Sequence, residues 1–132
     1  MIGGAGCSSH AAIKPAPGTL PGGTAALRVN GNTARVTDAV QCESIDWWRT
    51  IKTGDEASGV TVMLSNANKL VTEFVRFRNV DGFTGSYDHH LHGEAAVAMT
   101  GPTYRIAGTA VGYTNAKPTE RTTEAFELRV SC

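Results

Sequence analysis

The sequence predicts an all-β domain, a small antiparallel sandwich or half-open barrel with one disulfide and a flexible N-terminal tether. Three observations predict it. β-Branched and aromatic residues recur in short runs bounded by Gly, Asn, Asp and Pro. No apolar period of 3.6 residues persists for more than a few turns. Several of the runs alternate apolar with polar residues, as a strand does when one face is buried and the other wet.

Residues 1–24 read as a tether and 25–132 as the folded domain. The stretch from Ser8 to Thr24, with Pro15, Pro17, Pro21 and several glycines, neither propagates a helix nor joins a sheet interior. Such a spacer lets a domain stand off from its point of attachment, and its hydroxyls are open to modification.

In the domain, Ala26 to Asn32 carries Asn30-Gly31, a pair that tolerates positive φ, and leads into Arg35–Val40; this is the first hairpin. Between Glu43 and Lys69 the sequence is also compatible with one short helix, because Asn66-Ala67-Asn68-Lys69 is a weak strand sequence. Val60 to Leu64 alternates. So does Val71 to Asn79, where Val75 and Phe77 face inward and Arg76 and Arg78 face water. Asp81-Gly82 then turns the chain. Further strands are Phe83–Tyr87, Ala95–Met99, Tyr104–Gly112 and Ala125–Cys132, the last setting Phe126, Leu128 and Val130 against Glu127, Arg129 and Ser131.

A hydrophobic fraction of 41% with 18% charged residues belongs to a chain that buries a core. Twelve basic residues balance twelve acidic ones. No basic stripe gathers phosphates, so nucleic acid is not an expected partner.

The cysteines are Cys7, Cys42 and Cys132, and none forms a CxxC pair of the zinc or redox type. An odd count in an exported protein points to one disulfide and one thiol with another fate. Cys7, alone in the tether, is the odd one, which leaves Cys42 with Cys132. Closing a loop of roughly 90 residues removes about 4 to 5 kcal/mol of unfolded-state entropy. Such a bond would place the protein outside the reducing cytosol. The alternative is a pair of buried reduced thiols in a cytosolic protein.

No run of about 18 apolar residues crosses a bilayer as a helix, so membrane attachment is expected to be covalent. Met1 to Ser9, MIGGAGCSS, resembles a lipobox, with small residues directly before Cys7 and Gly4 where Leu is usual; the basic and apolar signal regions that precede a lipobox are missing, so a truncated start is expected. A flexible tail without modification accounts for the same residues.

The sharpest candidate for chemistry is the run Tyr87-Asp88-His89-His90-Leu91-His92-Gly93-Glu94. On an extended segment His90, His92 and Glu94 project to one side and offer two imidazoles and a carboxylate to a metal ion. A solvated polar loop explains the run equally, since no fourth ligand or orienting group is evident. Of Trp47 and Trp48, adjacent strand residues that point to opposite faces, at most one enters the core easily. No GxSxG elbow, phosphate loop or HExxH motif is present, so neither an enzyme nor a cofactor is expected.

Four segments together carry a resemblance: Val29-Asn30-Gly31 leading through a Val-containing strand to Cys42; Asn79-Val80-Asp81-Gly82-Phe83-Thr84; Tyr104-Arg105-Ile106-Ala107-Gly108-Thr109-Ala110-Val111-Gly112; and the ending Phe126 to Cys132. In order and spacing they resemble the mycobacterial nineteen-kilodalton lipoprotein antigen family (LpqH and related lipoproteins). The resemblance implies a lipid-anchored cell-envelope protein without enzymatic activity. In it Cys7 would carry the acyl groups, Cys42 and Cys132 would be bonded, and the partners would be the membrane and host receptors met as antigen or adhesin. The runner-up function is a β module of the envelope that binds a small lipid, sugar or metal.

Overall fold

The protein's structure, a computed structural model, describes residues 18–91 and 93–132. Ten strands form one antiparallel sheet: β1 (Thr24–Val29), β2 (Arg35–Thr37), β3 (Val40–Ile45), β4 (Trp48–Gly54), β5 (Gly59–Ser65), β6 (Val71–Val80), β7 (Phe83–Asp88), β8 (Glu94–Thr100), β9 (Thr103–Thr114) and β10 (Lys117–Ser131). Their order is β2-β1-β10-β9-β7-β6-β5-β4-β3, with β8 paired to β9 off this path. The sheet curls into a nearly closed barrel. Of the two expected architectures, the half-open barrel is the one formed.

Both turns read from the sequence are there. Asn30 and Gly31 adopt φ of 56° and 78°, and Asn32 N–H donates to the Val29 carbonyl at 3.1 Å. Asp81 and Gly82 adopt φ of 51° and 81° between the paired residues Val80 and Phe83, the two-residue connection whose twist matches its strands. The short helix allowed between Glu43 and Lys69 is absent. That span is β3, β4, β5 and the connection to β6, because Ile51, Val60, Val62 and Leu64 are buried at alternate positions only when the chain is extended. Arg35–Val40, read as one strand, breaks after Thr37, whose hydroxyl accepts the Ala39 N–H at 3.0 Å.

The barrel is filled by its own side chains. Val75, Phe77, Phe126, Leu128 and Val130 point inward as the alternation predicted, and they form one buried cluster with Ile51, Val60, Val62, Leu64 and Ile106. Phe77 sits at the centre, its ring 5.5 Å from Phe83 and 5.1 Å from Phe126. Ser131 departs from the pattern. It is fully buried, and its hydroxyl is bonded to that of Thr103 at 2.6 Å, which satisfies both groups where β10 meets β9.

Two places interrupt the wall. The first is the seam between β3 and the β2-β1-β10 end of the path. The disulfide Cys42–Cys132 crosses it, with Cα atoms 5.8 Å apart, tying β3 to the residue that follows β10. The second is subtler. β7 pairs with β9 at Val111–Thr114, and β8 takes over at Thr103–Thr109. β7 and β8 are thus two halves of one line, broken by the excursion 89–93. Among the described residues β8 pairs with β9 alone.

On the outer face of β1, β10 and β9, one carboxylate faces three guanidinium groups. Glu127 lies 2.6 Å from Arg105, 3.3 Å from Arg129 and 3.9 Å from Arg28. The hydrogen bond from Arg105 holds its carboxyl below the ordinary glutamate range; partial burial opposes this, and the charges of Arg129, Arg105 and Arg28 reinforce it. A depressed carboxyl stabilises the fold at neutral pH and loses that contribution as pH falls below about 4.3, the unfolded glutamate value. Glu127→Gln is therefore expected to cost about 1 kcal/mol at pH 7, by leaving the three arginines unbalanced. The gap in melting temperature between variant and parent should close between pH 5 and pH 3 (about one unit either side of the unfolded value). A gap independent of pH would assign the effect to packing.

Candidate functional site

The β3–β4 turn carries Asp46 and Trp47. Asp46 takes φ of 54°, and the Trp47 carbonyl accepts Asn66 N–H at 2.9 Å, which pins this turn to the β5–β6 connection. The extended register Ile45↔Trp48 leaves both flanking apolar residues outside. Neither indole enters the core. Trp47 is 52% exposed, Trp48 38%, Ile45 63% and, on β8, Met99 49%. The indole rings are tilted at 6.4 Å from each other.

Trp47, Trp48, Leu64, Leu70, Met99 and Tyr104 line a cleft of about 490 Å³. The Arg49 guanidinium stands 5.8 Å over the Tyr104 ring, an arrangement attractive to the ring face. The cleft lies between the β3–β4 turn and the end where Met99 on β8 pairs with Tyr104 on β9. Sequence reasoning singled out Trp47 and Trp48 but missed Met99, Tyr104 and Arg49. Met99 and Tyr104 stand far away in the chain and meet the indoles only because the sheet curls, whereas Arg49 adjoins Trp48 and joins the site through its contact with the Tyr104 ring.

The tether enters at the same end. Leu20 N–H donates to Thr103 Oγ1 at 3.0 Å, and a Cβ on Gly101 would lie 3.8 Å from Thr19 Cγ2. Thr103 pairs with Thr100 across the β8–β9 turn, next to the Met99↔Tyr104 pair that lines the cleft. The tether's last residues and the exposed indoles thus share one end of the barrel.

The histidine run forms the excursion between β7 and β8. His89 N–H donates to the Glu73 carbonyl at 2.9 Å, and its Nδ1 is 3.1 Å from the Tyr87 hydroxyl. Burial, then the Glu73 and Asp88 carboxylates, push that phenol up from its ordinary value. The His90 ring stacks on His89 with centroids 3.7 Å apart, and His90 itself takes φ of 68°. Glu94 opens β8, its N–H directed to Thr109 Oγ1 at 3.3 Å. His92 lies outside the described residues. Among those described, no group of three or more His, Cys, Asp or Glu side chains gathers to hold a metal ion. Cys7 and the lipobox-like start also lie outside the described residues.

A barrel packed with its own side chains and closed by a disulfide defines a class: small exported β domains that need a cross-link to complete a modest core. Residues 18–132 match the family described as Mycobacterium 19 kDa lipoprotein antigen. The chain belongs to that family. A protein of Mycobacterium indicus pranii described as a lipoprotein is 39% identical over 127 residues, covering 96% of this chain and 86% of that one. Lipoprotein LppE of Mycobacterium tuberculosis is 32% identical over 115 residues, 86% of this chain and 81% of the relative. Lipoprotein LpqH of the same species is 30% identical over 105 residues, 79% and 66%. The family is one of lipoprotein antigens and not a known enzyme family, and its membership implies an envelope-associated lipoprotein.

Proposed function

We propose that this chain is a lipid-anchored lipoprotein of the cell surface, acylated on Cys7, whose non-catalytic β domain meets host or neighbouring-cell partners as antigen or adhesin. The observation that carries the reading is the family match over residues 18–132, to relatives described as lipoproteins, in a chain that places Cys7 behind small residues and ahead of a Pro/Gly-rich spacer. Several acyl chains on one cysteine hold a protein firmly, where a single chain holds it only reversibly. The domain needs no chemistry of its own for this role; it needs to stay folded outside the cell.

Expressed from its full reading frame in a mycobacterial host, the protein is expected to partition into the detergent phase, and Cys7→Ala to move it into the aqueous phase. Detergent partition that survives Cys7→Ala would refute acylation at this residue. Binding of the acylated protein, and not of an unrelated acylated β domain, to host cells tests the adhesin role.

A further inference from the structure

We infer that the end of the barrel carrying Trp47, Trp48, Ile45 and Met99 is a membrane-docking surface that seats in the headgroup region of the bilayer to which the chain is tethered. This rests on the anchored reading above for its geometry, and on the exposed side chains for its energy.

Four large apolar side chains within one end of a small domain are more exposed than folding requires, while the core proper is almost completely closed. Two of them are indoles. An indole combines a large apolar body with one N–H donor, so it is most stable where hydrocarbon meets water, which is why tryptophan concentrates at membrane interfaces. The flanking charges are mixed, Asp46 and Arg49 beside the cleft, which suits zwitterionic headgroups better than a strongly anionic surface.

Position selects the occupant. The tether leaves the barrel beside Gly101 and Thr103, at this same end. Residues between Cys7 and Gly18, even fully extended, reach at most about 40 Å. Any less extended path brings this end towards the bilayer first, and the opposite end, with Asp81-Gly82 and Asn30-Gly31, outward. A platform for soluble sugar or for a receptor on another cell would be badly placed here. The two contacts then reinforce each other, because attachment raises the effective concentration of membrane at the indoles.

The chain has two tryptophans, so its indole fluorescence reports this surface alone. With Cys42 and Cys132 bonded, Cys7 is the remaining cysteine, and the full 132-residue chain can be coupled through it to a maleimide-headgroup lipid in phosphatidylcholine vesicles. Coupling is expected to shift tryptophan emission to shorter wavelength and to make it quenchable by brominated phosphatidylcholine. Ile45→Asp combined with Met99→Asp should restore the emission of the free protein with an unchanged circular dichroism spectrum. Val36→Asp, at an exposed apolar position outside the cleft, should leave the quenching intact. Without coupling, the double variant should partition onto the same vesicles at least about tenfold more weakly than the parent.

Emission that stays unshifted and unquenched on coupling would overturn the inference. So would a shift produced by soluble oligosaccharide and not by vesicles, which would make the cleft a sugar platform. Because the coupling is chemical, these outcomes do not depend on acylation in the cell; failure of the Cys7→Ala partition experiment leaves this test standing, and the reverse.

Discussion

Removing the Cys42–Cys132 bond, by reduction or by replacing both cysteines with serine, is expected to destabilise the domain by about 4 to 5 kcal/mol. The cross-linked residues are 90 positions apart, so the bond restricts most of the unfolded chain. Among the described residues it also sits where the sheet offers no other link: β3 pairs with β4 alone, β2 pairs with β1 alone, and no ladder of backbone hydrogen bonds joins those ends of the path. Against a total of about 5 to 15 kcal/mol for a domain of ordinary stability, the loss is a large fraction. Thermal unfolding followed by circular dichroism should show the midpoint falling by roughly 15 to 20 °C on adding reductant. A fall of a few degrees would mean that packing of Val40 and Cys42 against the core, rather than the covalent link, holds the seam.

Phe77→Ala is the second large effect, at about 3 to 5 kcal/mol. Phe77 is 2% exposed and projects from β6 to meet Phe83 on the neighbouring strand β7 and Phe126 on β10, three strands along the sheet, so its ring ties the centre of the core together. Truncation leaves a void at the centre of the core that the surrounding strands fill poorly, because moving one of them inward strains its pairing with its neighbours. Phe77→Leu, which retains most of the volume, should cost about 1.5 kcal/mol or less. Urea unfolding of the two variants measures the difference. Equal costs would show that ring geometry, rather than volume, is what the site requires.

These effects, one covalent and one apolar, bear on how the domain of an envelope-associated lipoprotein lasts. A barrel that unfolds would expose the apolar runs Val60–Leu64 and Val71–Phe77, which folding buries, to aggregation. The disulfide and the aromatic centre guard against the same event from two directions.

Much of the fold was legible because its signals are local. Asn30-Gly31 and Asp81-Gly82 are turns for reasons internal to each pair, and the alternation around Val75 and Phe77, or Phe126 and Leu128, states which face is buried. The span from Glu43 to Lys69 was less legible. Asn66 to Lys69 lacks strand propensity, and only pairing of β5 with both β4 and β6 shows that it is a connection between strands. The candidate site was half legible. Trp47-Trp48 can be noticed in a sequence, but alternation cannot say that both indoles stay outside, since that follows from Trp47 standing in a turn and Trp48 beginning an exposed strand end.

By itself, then, the sequence determined the all-β class, the two tight turns and the inward faces of the long strands, which follow from residue chemistry over short range, and the count of thiols pointed to Cys42 with Cys132, the bond that the structure forms. Only the tertiary structure decided that one sheet curls into a barrel, that β7 and β8 share one line along β9, and that Met99 and Tyr104 join the indoles and Arg49 beside the tether. Those arrangements depend on register and closure, where the free energy comes from contacts between residues far apart in the chain, and no local pattern records which distant strands will meet.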